Sequence, residues 1–238
     1  MGYFLAVSAF QGSSVDQLAQ AIQRYTAKFG VACETFSPDQ LVPSPRTDAT
    51  VFAPIDEWTI VLWPEYFNTH DFPMCEALSE RLSTLVSTVH VYDGDYWAHG
   101  LFEQGCLLDQ FCSQPDYFAE DSETANLMKV KWQGDPETIA SRFQIPVDAI
   151  CGYLSHLPLP EDRVPQSRPL FSFLKRRKPS VFDRKVKPDD DFGLDNFWVF
   201  TDFWRSLGIH YPDDMTKWAK RLRFANDFTK HLPYLDEL

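Results

Sequence analysis

Strand-like and helix-like patterns of apolar positions alternate along the N-terminal part of the chain. Residues 3–10 form a nearly continuous apolar run, which predicts a strand buried on both faces. Residues 15–29 and 74–87 carry apolar side chains at helical spacing and predict two helices. Shorter apolar runs predict strands at residues 31–36, 50–53, 59–63 and 89–92. We interpret this order as β-α-β-β-α-β, which predicts an α+β ferredoxin-like sandwich, with a mixed sheet of another topology as the alternative.

A β-hairpin extends this unit in the aromatic and acidic block at residues 92–118. Residues 96–102 and 106–112 are two short apolar runs, and the three-residue linker between them ends in Gly105, which suits a bulged hairpin connection. Asp93-Gly94-Asp95, just before the hairpin, is a turn signal. The block therefore predicts a meander of three antiparallel strands.

Alternation along the first hairpin strand separates its side chains into two faces. Trp97 and His99 fall on one face, and Tyr96 and Phe102 on the other. We expect Trp97 to be buried and one face alone to pack on the two helices, so that the other face meets water or a partner. Gly100 within the strand indicates a bulge or a close approach of another segment.

The hairpin block also resembles a family of uncharacterised bacterial proteins. The resemblance covers residues 93–118 and implies no activity, cofactor or residue role. The residues that carry it are Asp93, Asp95, Trp97, Leu101, Phe102, Gly105, Asp109, Phe111, Ser113, Pro115, Tyr117 and Phe118.

The remainder of the chain predicts additions to an α/β body that spans residues 1–133. Proline-initiated helical patterns predict a helical pair at 134–157, with packing favoured over a DNA-binding role. Prolines and a tetrabasic run predict a linker or strap at 158–190. Residues 191–238 predict C-terminal helices that dock on the body, the last of them over residues 213–231, because residues 192–209 are too apolar to stay exposed.

Composition limits the class of protein and its compartment. With 44% hydrophobic and 15% aromatic residues, the chain is not a mostly disordered protein. No apolar run reaches the roughly 18 residues that cross a bilayer, and the N-terminus lacks the basic start of a signal peptide. Five cysteines without framework spacing indicate a reducing compartment. We therefore expect a cytoplasmic protein without membrane association.

Charge points to a protein partner rather than to nucleic acid. The net charge is −12, which disfavours binding to a polyanion. Residues 163–187 nevertheless hold nine basic residues and one acidic residue, a local charge of +8. We expect this strap to lie across the acidic body or across an acidic partner, and the body to bind another protein with a basic surface.

The hairpin rim holds the candidate binding residues. Asp93 and Asp95 resemble the short carboxylate motif that holds a metal in some glycosyltransferases, although a plain turn is favoured. A histidine near Asp and Cys would permit nucleophilic catalysis, but buried structural roles are favoured. We assign no catalytic, metal or cofactor residues and expect no cofactor. The candidate rim consists of Asp93, Asp95, Trp97, His99, Asp109, Asp116 and Tyr117.

Two functions remain open from the sequence. The first is a non-enzymatic, acidic protein-interaction factor of accessory or immunity type, because the chain has many aromatic residues and no catalytic signature such as a phosphate loop. The second is a small-molecule or metal-dependent enzyme that uses the rim at 92–118. Convergence of several carboxylates and a histidine in one pocket would favour the enzyme.

Overall fold

The computed structural model describes residues 3–37, 44, 46–157 and 184–235 and shows an α+β protein with one eight-stranded antiparallel sheet. Five α-helices lie in this described part. The strands are β1 Leu5–Gln11, β2 Cys33–Phe36, β3 Asp48–Phe52, β4 Trp58–Leu62, β5 Leu85–Tyr92, β6 Tyr96–Glu103, β7 Cys106–Cys112 and β8 Trp218–Phe224. The helices are α1 Val15–Lys28, α2 Asp71–Leu82, α3 Ser122–Lys131, α4 Pro136–Phe143 and α5 Val199–Ser206. The strand order is β2-β8-β3-β4-β1-β5-β6-β7.

One face of the sheet, called here the α1 face, packs against α1 and α2. Strand β1 sends Ala6 and Phe10 to this face, where they meet Leu18 of α1 and Leu78 of α2 in one apolar core. Helix α1 begins where the sequence indicates, because Ser14 and Gln17 form a reciprocal capping box. The prediction that both N-terminal helices share one face is confirmed.

The opposite face, called here the α5 face, is also covered, because C-terminal segments close over it. Leu5, Val7 and Ala9 of β1 point to this face and share a second core with Phe203 and Trp204 of α5. The expectation that one hairpin face would meet water or a partner is therefore wrong. The hairpin strand β6 buries Tyr96 and Ala98 on one side and Trp97 and Leu101 on the other.

Strand β8 replaces the helix expected over residues 213–231. The spacing of Trp218, Leu222 and Ala225 fits a helix. The same segment also fits a strand, because its side chains alternate: Leu222 faces the α1 core, while Arg221 and Arg223 face the other way. The segment inserts between β2 and β3 and forms backbone ladders with both strands. This long-range pairing satisfies its backbone groups and overrides the helical pattern.

Other boundaries differ in smaller ways. All three strands that the sequence predicts between α1 and α2 are present, one more than a β-α-β-β-α-β order contains, and in the described sheet β2 pairs with β8 alone. Helix α2 ends at Leu82, so residues 85–87 belong to β5. The second member of the predicted helical pair is two 3₁₀ turns, Val147–Ala149 and Cys151–Tyr153. Residues 158–183 of the predicted strap lie outside the described residues.

Gly100 lies where another side chain approaches the backbone closely. A Cβ atom at this position would come within 2.9 Å of the Phe72 ring of α2 and 2.8 Å of Phe102. The register of β6 against β7 also shifts between Leu101 and Phe102. Both interpretations of Gly100, a close approach and a nearby bulge, therefore hold.

The described helices are too short or too polar to span a bilayer.

Candidate functional site

The turn before the hairpin holds the first two residues of the predicted rim. Asp93 has a φ of 54° and Gly94 a φ of 75°, and the Asp95 amide donates to the Tyr92 carbonyl at 3.0 Å. Both aspartates are exposed. The Asp95 carboxylate accepts a 2.6 Å hydrogen bond from the Tyr117 hydroxyl, so it anchors the segment after the hairpin. The placement of Asp93 and Asp95 in a turn is confirmed.

The seven rim residues do not converge on one pocket. Trp97, His99 and Asp109 lie toward the α5 face, where Trp97 packs 5.0 Å from Phe111, measured between ring centroids. Asp116 lies elsewhere and binds Lys129 of α3 at 2.7 Å. The rim therefore divides between the interior of the α5 face and the outer side of the hairpin.

Within the α5 face, His99 lies between a hydroxyl and a carboxylate in the order used by serine hydrolases. Its Nε2 is 2.9 Å from Ser87 Oγ, and its Nδ1 is 3.9 Å from Asp109 Oδ2. The Ser87 hydroxyl also accepts a 2.9 Å hydrogen bond from the Trp204 indole of α5. No sequence motif marks this arrangement, which follows from strand register alone, since His99 lies opposite Val89, two residues after Ser87.

Burial prevents this arrangement from acting as a catalytic triad. The side chains of Ser87 and His99 are fully buried, and Trp204 covers the hydroxyl, so a substrate cannot touch it. Burial lowers the pKa of His99 to about 3, which makes its imidazole a poor general base near neutral pH. Burial also raises the pKa of Asp109 to about 6. Ser87, His99 and Trp204 form a buried hydrogen-bond network that positions α5 on the sheet, whereas Asp109 accepts a 2.6 Å hydrogen bond from the Asp135 amide.

A second buried network crosses the α1 face. Asp71 of α2 accepts a 3.1 Å hydrogen bond from the Thr88 hydroxyl, and its Oδ1 is 3.2 Å from His90 Nδ1. Thr88 continues to Ser8 at 2.7 Å, which lies 3.2 Å from the Cys75 sulfur. Burial raises the pKa of the Cys75 thiol well above its usual range, so this cysteine is protonated and not nucleophilic. The network ties α2 to two central strands.

Metal binding finds no support in the geometry of the described residues. Within ranges 3–37, 46–157 and 184–235, no three His, Cys, Asp or Glu side chains come together in a way that could hold an ion. Asp93 and Asp95 are held by the turn and by Tyr117, respectively. The metal interpretation of this motif thus has no third ligand among the described residues.

The exposed side of α3 is the feature that the sequence analysis missed. This helix has no buried residue, and only Met128 packs against the core as a partly buried apolar residue. The opposite side carries Glu123, Leu127 and Val130, a set called here the α3 face. Leu127 is 65% exposed and Val130 is 68% exposed. Large aliphatic side chains this open to water are typical of an interaction surface when they share one side of a helix.

Acidic groups lie at the N-terminal end of the α3 face, whereas Lys129 and Lys131 lie in the last turn of the helix. Asp121 caps the helix by accepting a 2.8 Å hydrogen bond from the Thr124 amide, and Glu120 and Glu123 are exposed beside it. Phe118, half exposed, precedes this cluster and packs on Tyr117. The surface thus combines apolar side chains with negative charge.

Sequence signals for the missed residues exist, but they are weak. Ser87, Thr88 and His90 interrupt a strand that is otherwise apolar, which indicates buried hydrogen bonding in a strand covered on both faces. Their partners Asp71 and Trp204 are distant in the chain, so the pattern could not identify them. The sequence around Leu127 and Val130 fits an edge strand as well as a helix. Because the two structures would place these side chains differently, the sequence could not predict that both are exposed.

No family model matches the chain, and no curated protein or solved structure is significantly similar to it.

Proposed function

We propose that the protein is a non-enzymatic interaction factor, of accessory or immunity type, that binds another protein through the α3 face. The observation that carries the proposal is the exposure of Leu127 and Val130 on a helix without a buried residue. A partner groove that accepts an amphipathic helix would remove both side chains from water.

The free energy available from burying the outer side of α3 supports a role for this helix in binding a partner. A ten-residue helix is marginal on its own in water and depends on packing of its apolar side. Here Leu127 and Val130 are turned outward, and the inner side is held by Met128 and by the ion pair between Lys129 and Asp116. Covering two aliphatic side chains would contribute about 1.5–3 kcal/mol each at full burial.

Charge defines the class of partner. The chain has a net charge of −12, and Glu120, Asp121 and Glu123 lie at the start of α3. A partner with lysines or arginines around an apolar groove would complement this surface and associate faster at low salt. The partner is therefore proposed to be a protein with a basic surface, and nucleic acid is disfavoured by the sign of the charge.

The rival function, an enzyme that uses the rim, receives less support. Of the groups suited to acid–base or nucleophilic chemistry, His90, His99 and Cys75 are fully enclosed by the two cores. Each has a structural partner in a buried network.

We also propose that the centre of the fold is a ferredoxin-like sandwich. The central strands follow the order β3-β4-β1-β5 in an antiparallel sheet, with α1 and α2 together on one face. This order and helix placement are those expected of a split β-α-β arrangement. In this proposal the hairpin, β2 and β8 are additions at the two sides.

Site-specific photo-crosslinking in cells that make the full chain tests the interaction. A photoreactive residue at position 127 is expected to capture a protein with a basic surface. The same residue at position 34, on the exposed β2 strand at the opposite edge of the sheet, is expected to capture none. The Glu123→Lys substitution should lower capture at position 127 by about tenfold, since it places a cation against a basic partner.

The matched control is Glu34→Lys, which changes the net charge by the same amount far from α3. Capture at position 127 should be unchanged by this control. Equal capture at positions 127 and 34, or capture that Glu123→Lys leaves intact, would contradict the proposed function. Capture of a second copy of this chain would identify self-association instead.

A further inference from the structure

A cleft of about 300 Å³ lies on the α5 face of the sheet, beside the part that α5 covers. Its walls are mainly apolar and come from β1, β3, β4 and the segment before β8. The apolar residues that form them include Tyr3, Leu5, Phe52, Leu62 and Met215. A volume of this size is at the lower end of the range for small-molecule sites.

Arg221 of β8 also lines the cleft and carries its positive charge into the apolar surroundings. Its guanidinium lies 4.4 Å from the centre of the Trp218 ring. Its Nε is buried and has no hydrogen-bond partner among the described residues. The nearby Asp48 carboxylate attracts the guanidinium but forms no direct ion pair with it in the described part of the chain. Arg221 as a whole is partly buried, and a partly buried guanidinium without a direct ion pair costs free energy, so a carboxylate that reached its accessible atoms would be favoured.

The neighbouring arginine on the same face shows the partner that this strand accommodates. Arg223 binds the Asp48 carboxylate through two contacts, Nε to Oδ1 at 2.7 Å and Nη2 to Oδ2 at 3.0 Å. This forked pairing is the arrangement in which a guanidinium recognises a carboxylate most specifically. Arg221, two residues earlier, has the same guanidinium chemistry but makes no forked pair of this kind in the described part of the chain.

The acidic groups in the walls are already engaged. Asp48 is bound by Arg223 and by the Ser44 amide at 2.7 Å, and its pKa lies below the usual range despite burial. Glu65 faces Arg46 at 3.9 Å near the surface. Among the described charged residues that line the cleft, Arg221 is thus the one without an opposite charge within ion-pair distance.

From these contacts we infer that the cleft binds a small carboxylate with an apolar body. The carboxylate pairs with the Arg221 guanidinium, and the apolar body lies against Leu5, Phe52 and Leu62. Thr50 lies opposite Arg221 in the β3–β8 ladder, so its hydroxyl is placed to donate to the same anion. A phosphate is disfavoured, because such sites gather several cations or amides, and this cleft supplies one guanidinium without a direct ion pair beside the paired carboxylates of Asp48 and Glu65.

Phenylacetate and its neutral amide, phenylacetamide, are the probes that test the site. Titration followed by calorimetry and protein NMR is expected to give a Kd on the order of 1 mM or below for phenylacetate, a reasonable affinity for so small a ligand. Phenylacetamide should bind at least about tenfold more weakly, because it cannot form the forked ion pair. Inorganic phosphate should not saturate in the same range.

Three variants separate the site from the surface. Arg221→Gln should weaken phenylacetate binding by about tenfold or more. Arg24→Gln removes the same charge from the exposed side of α1, on the opposite face of the sheet, and should leave the affinity within about twofold. Met215→Trp narrows the cleft without changing charge and should reduce binding even if Arg221→Gln fails to fold.

Several outcomes would overturn the inference. One is that phenylacetate and phenylacetamide bind with equal affinity. Another is that both Arg221→Gln and Met215→Trp bind phenylacetate as tightly as the wild type does. The third is that phenylacetate shows no saturable binding up to about ten times the expected Kd. The cleft and the α3 face are independent, so failure here leaves the interaction proposal standing.

Discussion

His99 shows how a single buried side chain can make stability depend on pH. Its folded-state pKa of about 3 lies below the ordinary value near 6.5, so the unfolded chain binds more protons as the pH falls through this window. The stability that neutral His99 provides is present above pH 6.5 and is lost on acidification. Asp109 acts with the opposite sign, because its raised pKa of about 6 favours the folded state as the pH falls toward 4.

The first prediction compares wild type with His99→Gln by urea denaturation between pH 6.5 and 4.5. The difference in free energy of unfolding should shrink by on the order of 1 kcal/mol per pH unit as the pH falls, since only the wild type must keep an imidazole neutral. Asp109→Asn should show a pH dependence of the opposite sign. A difference that is constant across this range would refute the assignment.

Trp97 is the residue whose role the sequence predicted best. Alternation placed it inside, and the structure buries it to 1% exposure between Phe111 and Phe203. Trp97→Ala should therefore lower the free energy of unfolding by about 3–5 kcal/mol. Phe118→Ala, at a half-exposed ring of the same block, should cost less than about 1 kcal/mol. Chemical denaturation measures both, and similar costs would disagree with the packing described.

At the scale of elements, the local sequence pattern predicts helices and strands correctly where tertiary packing and intrinsic propensity favour the same structure. In helix α1, the N-cap residue, the apolar side chains at helical spacing and the glycine that ends the helix all lie in one short segment of sequence. The predicted limits of this helix are therefore close to the observed ones. Strand β8 is wrongly predicted as a helix, because its apolar residues fit both the helical and the strand period and because its partners, β2 and β3, are far from it in the sequence. Likewise, nothing local reveals that α5 covers His99, because that contact joins segments far apart in the chain.

Helix α3 gives a prediction at this scale. If its outer side serves a partner rather than the fold, Leu127→Asp should change the free energy of unfolding by no more than about 0.5 kcal/mol. Met128→Asp, one residue later on the inner side, should destabilise the protein measurably because Met128 packs on the core. Thermal and urea unfolding of the two variants provide the comparison. A large cost for Leu127→Asp would show that this side chain supports the fold.

At the scale of the whole molecule, the sheet is a layer with a core on each face. The C-terminal region supplies α5 to one core and β8 to the sheet itself, while Phe228 and Leu232 join the other core. The sequence indicated that residues 192–209 would be buried, but not that the region which follows them would enter the sheet.

Truncation provides the prediction for this scale. Deleting residues 190–238 should uncover the apolar side of the sheet and leave β3 as an unpaired edge, so the shortened chain should aggregate. Size-exclusion chromatography and light scattering measure this. Supplying residues 190–238 as a separate chain should restore part of the monomeric fraction. A truncated protein that remains monomeric and equally stable would show that the region is dispensable.

The central position of β8 has a consequence for how the chain folds. Strand β2 bonds to no strand other than β8 in the described sheet, so Cys33–Phe36 must wait for Trp218–Phe224 before it has a ladder partner. Contacts between segments so far apart raise the contact order, and folding rates fall as contact order rises. During synthesis, β3 is an open edge until β8 emerges, and open edges pair readily with other chains. The growing chain is therefore most vulnerable to misassembly in the interval between these two strands.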